Sequence, residues 1–330
     1  MDHFDFFDQE EAAAHIKARS GETKLGERLS YISDFHQLDQ VSARYVLIGV
    51  PEDIGVQANH GKPGAAELWE EFLSAFLNLQ ENRYLSGENV LIAGKLSTER
   101  LIEQARESIQ TFEDQLGRLS VFVETLDDWL SRIIQKVKEA GKIPIVIGGG
   151  HNNAFGMMKG VSLAQSRPVN VFNLDAHTDL RWLDHRHSGN GFSYAIDQGF
   201  LESYTIFGLD KAYTPEYIYE HIDGTDALSC IFTDELYSLS NQDIINKASA
   251  EMSKLGAFGL EIDMDCVQGQ PASALNPLGL LPQQLYAILG KVPTDQVEYV
   301  HCCEAMGRQD FPSGKLVANL IFSILQNEST

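Results

Sequence analysis

Three short boxes in this chain gather residue types that bind hard divalent cations: Gly148-Gly149-Gly150-His151, Asp175-Ala176-His177-Thr178-Asp179 and Asp263-Met264-Asp265. Residues two apart in an extended segment point to the same side, so Asp175, His177 and Asp179 can project together, as can Asp263 and Asp265. With His151, six ligands can converge. The four carboxylates among them could not all stay ionised at close quarters, since like charges raise each other's pKa, unless about four positive charges sit between them. Two divalent cations supply that charge. A carboxylate-rich, imidazole-supplemented set without thiolate suits manganese better than copper or a structural zinc. Two such ions roughly 3.5 to 4 Å apart can share a water, lower its pKa and present it as hydroxide near neutral pH. The chemistry implied is metal-assisted hydrolysis.

Each box has a plainer reading when taken singly. A Gly-rich turn after a strand is usually a tight strand-to-helix connection, and a lone Asp-x-Asp carries little more. Asp-Ala-His-Thr-Asp is sharper, because three alternating ionisable groups at a strand tip are costly without a ligand or a salt-bridge network. It is the coincidence of all three in one chain, each after an apolar run, that favours a functional site.

Those apolar runs are the elements that must position the ligands. They are Tyr45 to Val50, Asn89 to Ala93, Ile143 to Ile147, Val169 to Leu174, Tyr204 to Phe207, Ser229 to Phe232, Ala257 to Ile262 and Val297 to His301. Runs with little polar alternation are what strands buried on both faces look like, and their separation by helical segments calls for parallel pairing through right-handed crossovers. Helices are expected from Pro63 to about Asn82, through the region where Val123, Leu126, Leu130, Ile133 and Val137 recur at three- and four-residue spacing, and from Lys315 to Gln326. The fold class is a single three-layer α/β/α domain with a mostly parallel sheet, spanning 41–330 after a polar lead-in over 1–40. In such sheets functional groups sit just beyond the carboxyl ends of the strands, where all three boxes fall.

Composition narrows the function classes. With 47 acidic against 25 basic residues the formal charge is -22, which disfavours phosphate-backbone attraction and so nucleic acid as a partner. No run approaches the roughly 20 apolar residues of a membrane span, and the start MDHFDFFDQEEAAAHIKARS lacks the basic and apolar regions of a signal peptide. Cys230, Cys266, Cys302 and Cys303 form no Cys-x-x-Cys pair, which suits reduced thiols. A cytoplasmic protein acting on a small molecule is expected.

In this order, the GGGH, DAHxD and DxD boxes resemble the ureohydrolase family, which includes arginase, agmatinase and formimidoylglutamase; the likeness spans about residues 45 to 325. The resemblance implies an arginase-like fold and two manganese ions per chain. One would be held by His151, Asp175, Asp179 and Asp263, the other by Asp175, His177, Asp263 and Asp265, with Asp175 and Asp263 bridging. It also implies attack of a manganese-bridging hydroxide on an amidine or guanidine carbon, and relatives often form homo-oligomers. Glu304, in Tyr299-Val300-His301-Cys302-Cys303-Glu304-Ala305, matches the glutamate that pairs with the cationic end of the substrate, and Asp179 is the expected proton carrier.

Within the family the closer likeness is to the formimidoylglutamase branch, which converts formimidoylglutamate to glutamate and formamide in histidine degradation. It rests on Gly49-Val50-Pro51-Glu52-Asp53-Ile54-Gly55-Val56 with Asn59, on GGGH in place of GGDH, and on Leu180-Arg181 and Ser188-Gly189-Asn190-Gly191-Phe192. An arginase, an agmatinase or another guanidino-acid hydrolase is the alternative. The chain departs from the family where Glu261 stands in place of the usual serine and Gln268 in place of a third aspartate. The metallophosphoesterases, which also begin with an Asp-x-His box, need later Asn-His and His-x-His boxes; the one Asn-His, Asn59-His60, lies ahead of the Asp175-x-His177 box, and none stands between that box and the one His-x-His, His185 to His187. Finally, Arg181 to His187 places two arginines and two histidines directly after the second metal box of an acidic chain. A basic rim there suits an anionic substrate, and Arg181, Arg186 and Asn190 are the expected carboxylate contacts.

Overall fold

The structure, a computed structural model, describes residues 3–111, 114–307 and 310–326. One sheet contains β1 (Phe4–Phe6), β2 (Ser30–Tyr31), β3 (Tyr45–Gly49), β4 (Val90–Leu96), β5 (Ile143–Ile147), β6 (Val169–Leu174), β7 (Leu201–Leu209), β8 (Leu228–Phe232), β9 (Phe258–Asp263) and β10 (Val297–Cys303). Its spatial order is β1-β4-β3-β5-β10-β9-β6-β7-β8, with β2 also paired to β4. Only β1 runs antiparallel to its neighbour; the other pairings are parallel.

Alternate residues of each central strand feed opposite cores, which is why the strands are apolar throughout. Leu47, Ile145, Ile147, Leu260, Ile262 and Val300 pack with Phe72, Val317 and Ile321 on one face. Val46, Ile48, Val146, Val171 and Ile206 pack with Leu130, Ile134, Val137, Met157 and Val161 on the other. The two helices covering that second face approach closely at Gly160, where a Cβ would lie 2.6 Å from the Ser131 carbonyl oxygen. The expected three-layer α/β/α architecture with a mostly parallel sheet is the one observed. No helix among the described residues is long and apolar enough to cross a membrane.

Some expected boundaries moved. The stretch expected to be helical from Pro63 to about Asn82 is a short 3-10 turn, Ala65–Glu67, and then a helix only over Leu68–Phe76. Asn78 explains the early stop. Its side-chain amide donates to the carbonyls of Ser74 and His15, and its carbonyl oxygen accepts from the Lys17 N–H, so the side chain takes over the hydrogen bonds of the helix end and ties them to the lead-in. The long helical region is two helices, Glu99–Thr111 and Gln115–Glu139, the second capped by Asp114.

The lead-in is also more structured than its polarity suggests. β1 extends the same sheet as the strands that follow, and Phe4, Phe35 and Leu38 are buried in the second core. Residues 327–330 of the expected 41–330 domain lie outside the described residues. Since Phe35 packs its ring on Phe4 and Phe6 at centroid distances of 4.9 and 5.1 Å, Phe35→Ala is expected to cost about 3 kcal/mol, read from the midpoint and slope of urea unfolding. A lead-in merely draped on the surface would leave that curve unchanged.

Candidate metal centre

The four strands β5, β10, β9 and β6 are neighbours in the sheet, so their carboxyl ends open on one edge. GGGH follows β5, Glu304 follows β10, the second aspartate box follows β6, and Asp263 ends β9. Residues far apart in the chain therefore meet. Ligand atoms of His151, Asp175, Asp179 and Asp263 lie within 4.8 Å of one another, as do those of Asp175, His177 and Asp265. Asp175 belongs to both groups. Asp263, expected to be a second shared ligand, groups with the first set only.

Backbone and neutral side chains fix these groups. The Asp175 carboxylate accepts from the His177 N–H at 2.7 Å and from the Asn173 amide at 2.9 Å, and Asp263 accepts from the Asp265 N–H at 2.8 Å. Tyr204 accepts from Asn173 and donates to the Thr178 carbonyl, which braces the second box from below. The GGGH turn is built around Glu52. One oxygen of this buried carboxylate takes the Gly150 N–H at 3.0 Å and the side-chain amides of Asn152 and Asn153 at 3.2 and 2.7 Å, while the other takes the Ile54 N–H at 2.7 Å. Gly149, at φ 79°, has no room for a Cβ against Asn153 and Glu52.

Two of the expected catalytic residues adopt left-handed backbone, Asp179 at φ 49° and Glu304 at φ 63°. Such conformations cost about 1–3 kcal/mol in non-glycine residues and persist where the surroundings enforce them. For Glu304 the enforcement is visible. Its N–H donates to the Gly149 carbonyl at 2.9 Å, and its carboxylate accepts the His151 N–H at 2.8 Å.

The electrostatics are those of a site waiting for positive charge. Burial pushes the Asp263 carboxyl well above the usual carboxylate range, and Asp265 and Asp175 push further. Burial likewise raises Glu304 to about 8, with Asp265 and Asp179 adding. His151 Nδ1 lies 3.2, 2.9 and 3.1 Å from oxygens of Asp175, Asp179 and Asp263, yet it has no hydrogen-bond partner, and buried Asp265 Oδ1 has none either. A hard divalent cation at each group would satisfy these atoms and offset the carboxylate charge, so the donor set fits the ions expected from the sequence.

A cleft of about 190 Å³ opens beside the ligands, lined among others by His177, Asp179, Arg181, Asp263, Asp265 and Glu304. The basic rim expected from the sequence is reduced to one arginine. Arg181 does face the cleft, but Arg186 is only 2% exposed. Its guanidinium is bidentate to Asp127 at 2.9 and 3.1 Å, donates to Asn190 Oδ1 and the Asn152 carbonyl, and packs against the rings of both Phe155 and Tyr194. Asn190 is fully buried and spends its amide on the carbonyls of Trp182 and His185. Neither residue reaches the cleft. Both instead pin the loop that carries Arg181. Burial holds the His187 imidazole down at about 4, so near neutral pH it adds no charge.

Cleft residues that sequence reasoning did not single out as contacts are Asn59, Ser188, Tyr213 and Ser273. Asn59 and Ser188 are joined by a 3.2 Å hydrogen bond. Both stood inside boxes already noted for their resemblance, but nothing marked Tyr213 or Ser273, single polar residues in connecting segments.

Comparison with known proteins agrees with this geometry. Residues 43–326 match the sequence family described as the Arginase family. Formimidoylglutamase of Streptococcus gordonii is 26% identical over 252 residues, covering 72% of this chain and 69% of that one. Formimidoylglutamase of Macrococcus caseolyticus is 25% identical over 281 residues, covering 84% and 82%. Among solved structures, Trypanosoma cruzi formiminoglutamase with Mn2+ superposes with a TM-score of 0.74 at 18% identity, covering 94% of this chain and 99% of that one. Proclavaminate amidino hydrolase of Streptomyces clavuligerus gives 0.67 at 19%, covering 94% and 98%. These chains share the fold.

The clamp on the Arg181 loop generates a stability prediction. Removing one partner of a buried, bidentate pair leaves the other uncompensated, so Arg186→Ala is expected to lose about 3–5 kcal/mol in denaturant unfolding. The double variant Arg186→Met with Asp127→Leu removes both charges at similar volume and should recover most of that loss. Equal instability of single and double variants would contradict this account.

Proposed function

The chain belongs to the arginase family, and within it we propose that it hydrolyses the formimino carbon-nitrogen bond of formimidoylglutamate, releasing glutamate and formamide. The observation that carries the reading is the pair of largely buried ligand groups sharing Asp175 at the carboxyl ends of adjacent strands. His151, Asp175, Asp179 and Asp263 would hold one manganese ion, and Asp175, His177 and Asp265 the other. When bound, the two ions supply Lewis acidity and a water of lowered pKa.

The remaining work falls to this chain's own side chains. Glu304, held at the cleft wall by the His151 N–H, pairs with the cationic formimino group and turns its carbon toward the ligand cluster. Asp179 borders both the cluster and the cleft, which lets it carry the proton to the departing glutamate nitrogen. Water adds to the formimino carbon, the bond to the glutamate nitrogen breaks, and that nitrogen leaves protonated. Arg181 is the cation left for a substrate carboxylate, since it is exposed and no acidic partner lies within ion-pair distance of it among the described residues. Asn59, Ser188, Ser273 and Tyr213 offer neutral hydrogen bonds around it. Formimidoylglutamate carries two carboxylates, arginine one and agmatine none, so this lining favours the dicarboxylate.

Side-by-side assays of the manganese-loaded protein on formimidoylglutamate, arginine, agmatine and guanidino acids are expected to give the highest kcat/KM on formimidoylglutamate. A higher value on agmatine or arginine would reject the substrate assignment while leaving the hydrolase class intact. Glu304→Gln should keep its metal but lose most turnover. Arg181→Ala should raise KM for formimidoylglutamate by about 10- to 100-fold at unchanged metal content, the worth of one charge-assisted contact. Asp175→Asn should lower occupancy of both ions, because both groups use that carboxylate; full metal content in this variant would refute the sharing.

A further inference from the structure

Behind the metal ligands lies a second polar group that the hydrolytic scheme does not use. Glu261, His301 and Tyr299 are all completely buried. Glu261 and His301 are direct partners across β9 and β10. Glu261 Oε1 accepts from the Tyr299 hydroxyl at 2.8 Å, and Oε2 lies 2.6 Å from His301 Nδ1. The arrangement has room made for it, since a Cβ at Gly259, two residues before Glu261, would fall inside the Tyr299 ring. An ionised carboxylate without solvent is costly unless paired, so three buried polar residues converging on one another form a built feature.

The group points at one ligand. Glu261 Oε2 lies 3.4 Å from His151 Nε2, the ring nitrogen turned away from the cluster, whereas Nδ1 faces the oxygens of Asp175, Asp179 and Asp263. The ring is held edge-on by Phe192 at a centroid distance of 5.2 Å, with an interplanar angle of 83°. A neutral imidazole carries one proton, so whichever nitrogen holds it decides which of the two can ligate.

We propose that Glu261 is the positioning residue for His151. Its carboxylate, 3.4 Å from Nε2, favours the tautomer that keeps the proton on Nε2 and so presents the Nδ1 lone pair to the first metal group, while His301 and Tyr299 fix Glu261 in place. This inference rests on reading the cluster as a metal centre. The serine usual at this position in the family has a shorter side chain and no charge. Glu261 therefore makes this chain's first metal group dependent on a carboxylate that the second group, with Asp175, His177 and Asp265, does not touch. Partners of this kind are worth about 10- to 100-fold in metal affinity.

The test is manganese titration of the full chain, counting free ion by electron paramagnetic resonance, with thermal unfolding alongside. The wild-type protein is expected to take two ions. Glu261→Gln should lose about 10- to 100-fold affinity in one of the two steps only. Tyr299→Phe, which removes a single bond to Glu261, should weaken that same step less, and it decides the matter if Glu261→Gln does not fold. Nitrogen-15 shifts of the His151 ring in metal-free protein, taken at a pH high enough to leave the ring neutral, should show the proton on Nε2 in wild type and a mixture of tautomers in the variant. A wild type that takes up no manganese would bring down the metal-centre reading itself. Two ions bound with wild-type affinity by folded Glu261→Gln or, where that variant does not fold, by Tyr299→Phe, or a His151 ring protonated on Nδ1 in wild type, would overturn the positioning role alone.

Discussion

Mutual repulsion among buried carboxylates is the constraint around which this molecule is arranged. Asp175, Asp179, Asp263 and Asp265 lie together at the edge of a sheet with little water to screen them, and burial compounds the repulsion. Such a set can be held only by a scaffold that does not yield. The central strands supply it, because each is locked by parallel partners on both sides and by an apolar core above and below. The ligands therefore sit on strand ends and the turns directly after them, where a small shift in one would require the sheet itself to move.

The same constraint accounts for the neutral and buried groups that surround the ligands. Asn173, Asn152 and Asn153 donate hydrogen bonds without adding charge, and Glu52 is spent on shaping a turn. Glu304 and Asp179 sit in backbone conformations that most residues avoid, and hydrogen bonds to the GGGH turn keep Glu304 there. Strain and unfavourable charge collect in one place, and regular structure elsewhere holds them.

Much of this could be read from residues alone, and the exceptions have physical reasons. Strand ends carrying Asp, His and Asp at alternate positions are legible because the period of a strand is two and ionisable groups are rare in buried runs. The GGGH, DAHTD and Asp263 boxes came together as expected. Arg186 was misplaced because a charged residue in a loop reads as exposed unless its partner is known, and Asp127 lies on a helix 59 residues earlier. The three-residue strand Phe4–Phe6 is too short to show a period, and Asn78 ends a helix through contacts with His15 and Lys17 that no local pattern announces. Glu261 could be seen as a departure, but His301 and Tyr299 acquire meaning only once β9 and β10 are paired.

The position of β10 bears on how the molecule comes into being. It is made after the nine other strands of the sheet, yet it lies between β5 and β9 at its centre. During synthesis the earlier strands have no partner across that gap, and two open edges persist until Val297–Cys303 arrives. Pairings of such long sequence separation are slow to form, since the chain must be closed before any contact is gained. Glu304 and the His151 turn meet only in that final step. Once β9 has been made, the chain stands as two half-sheets exposed to aggregation until β10 is added, and assembly of the reactive centre coincides with their closure.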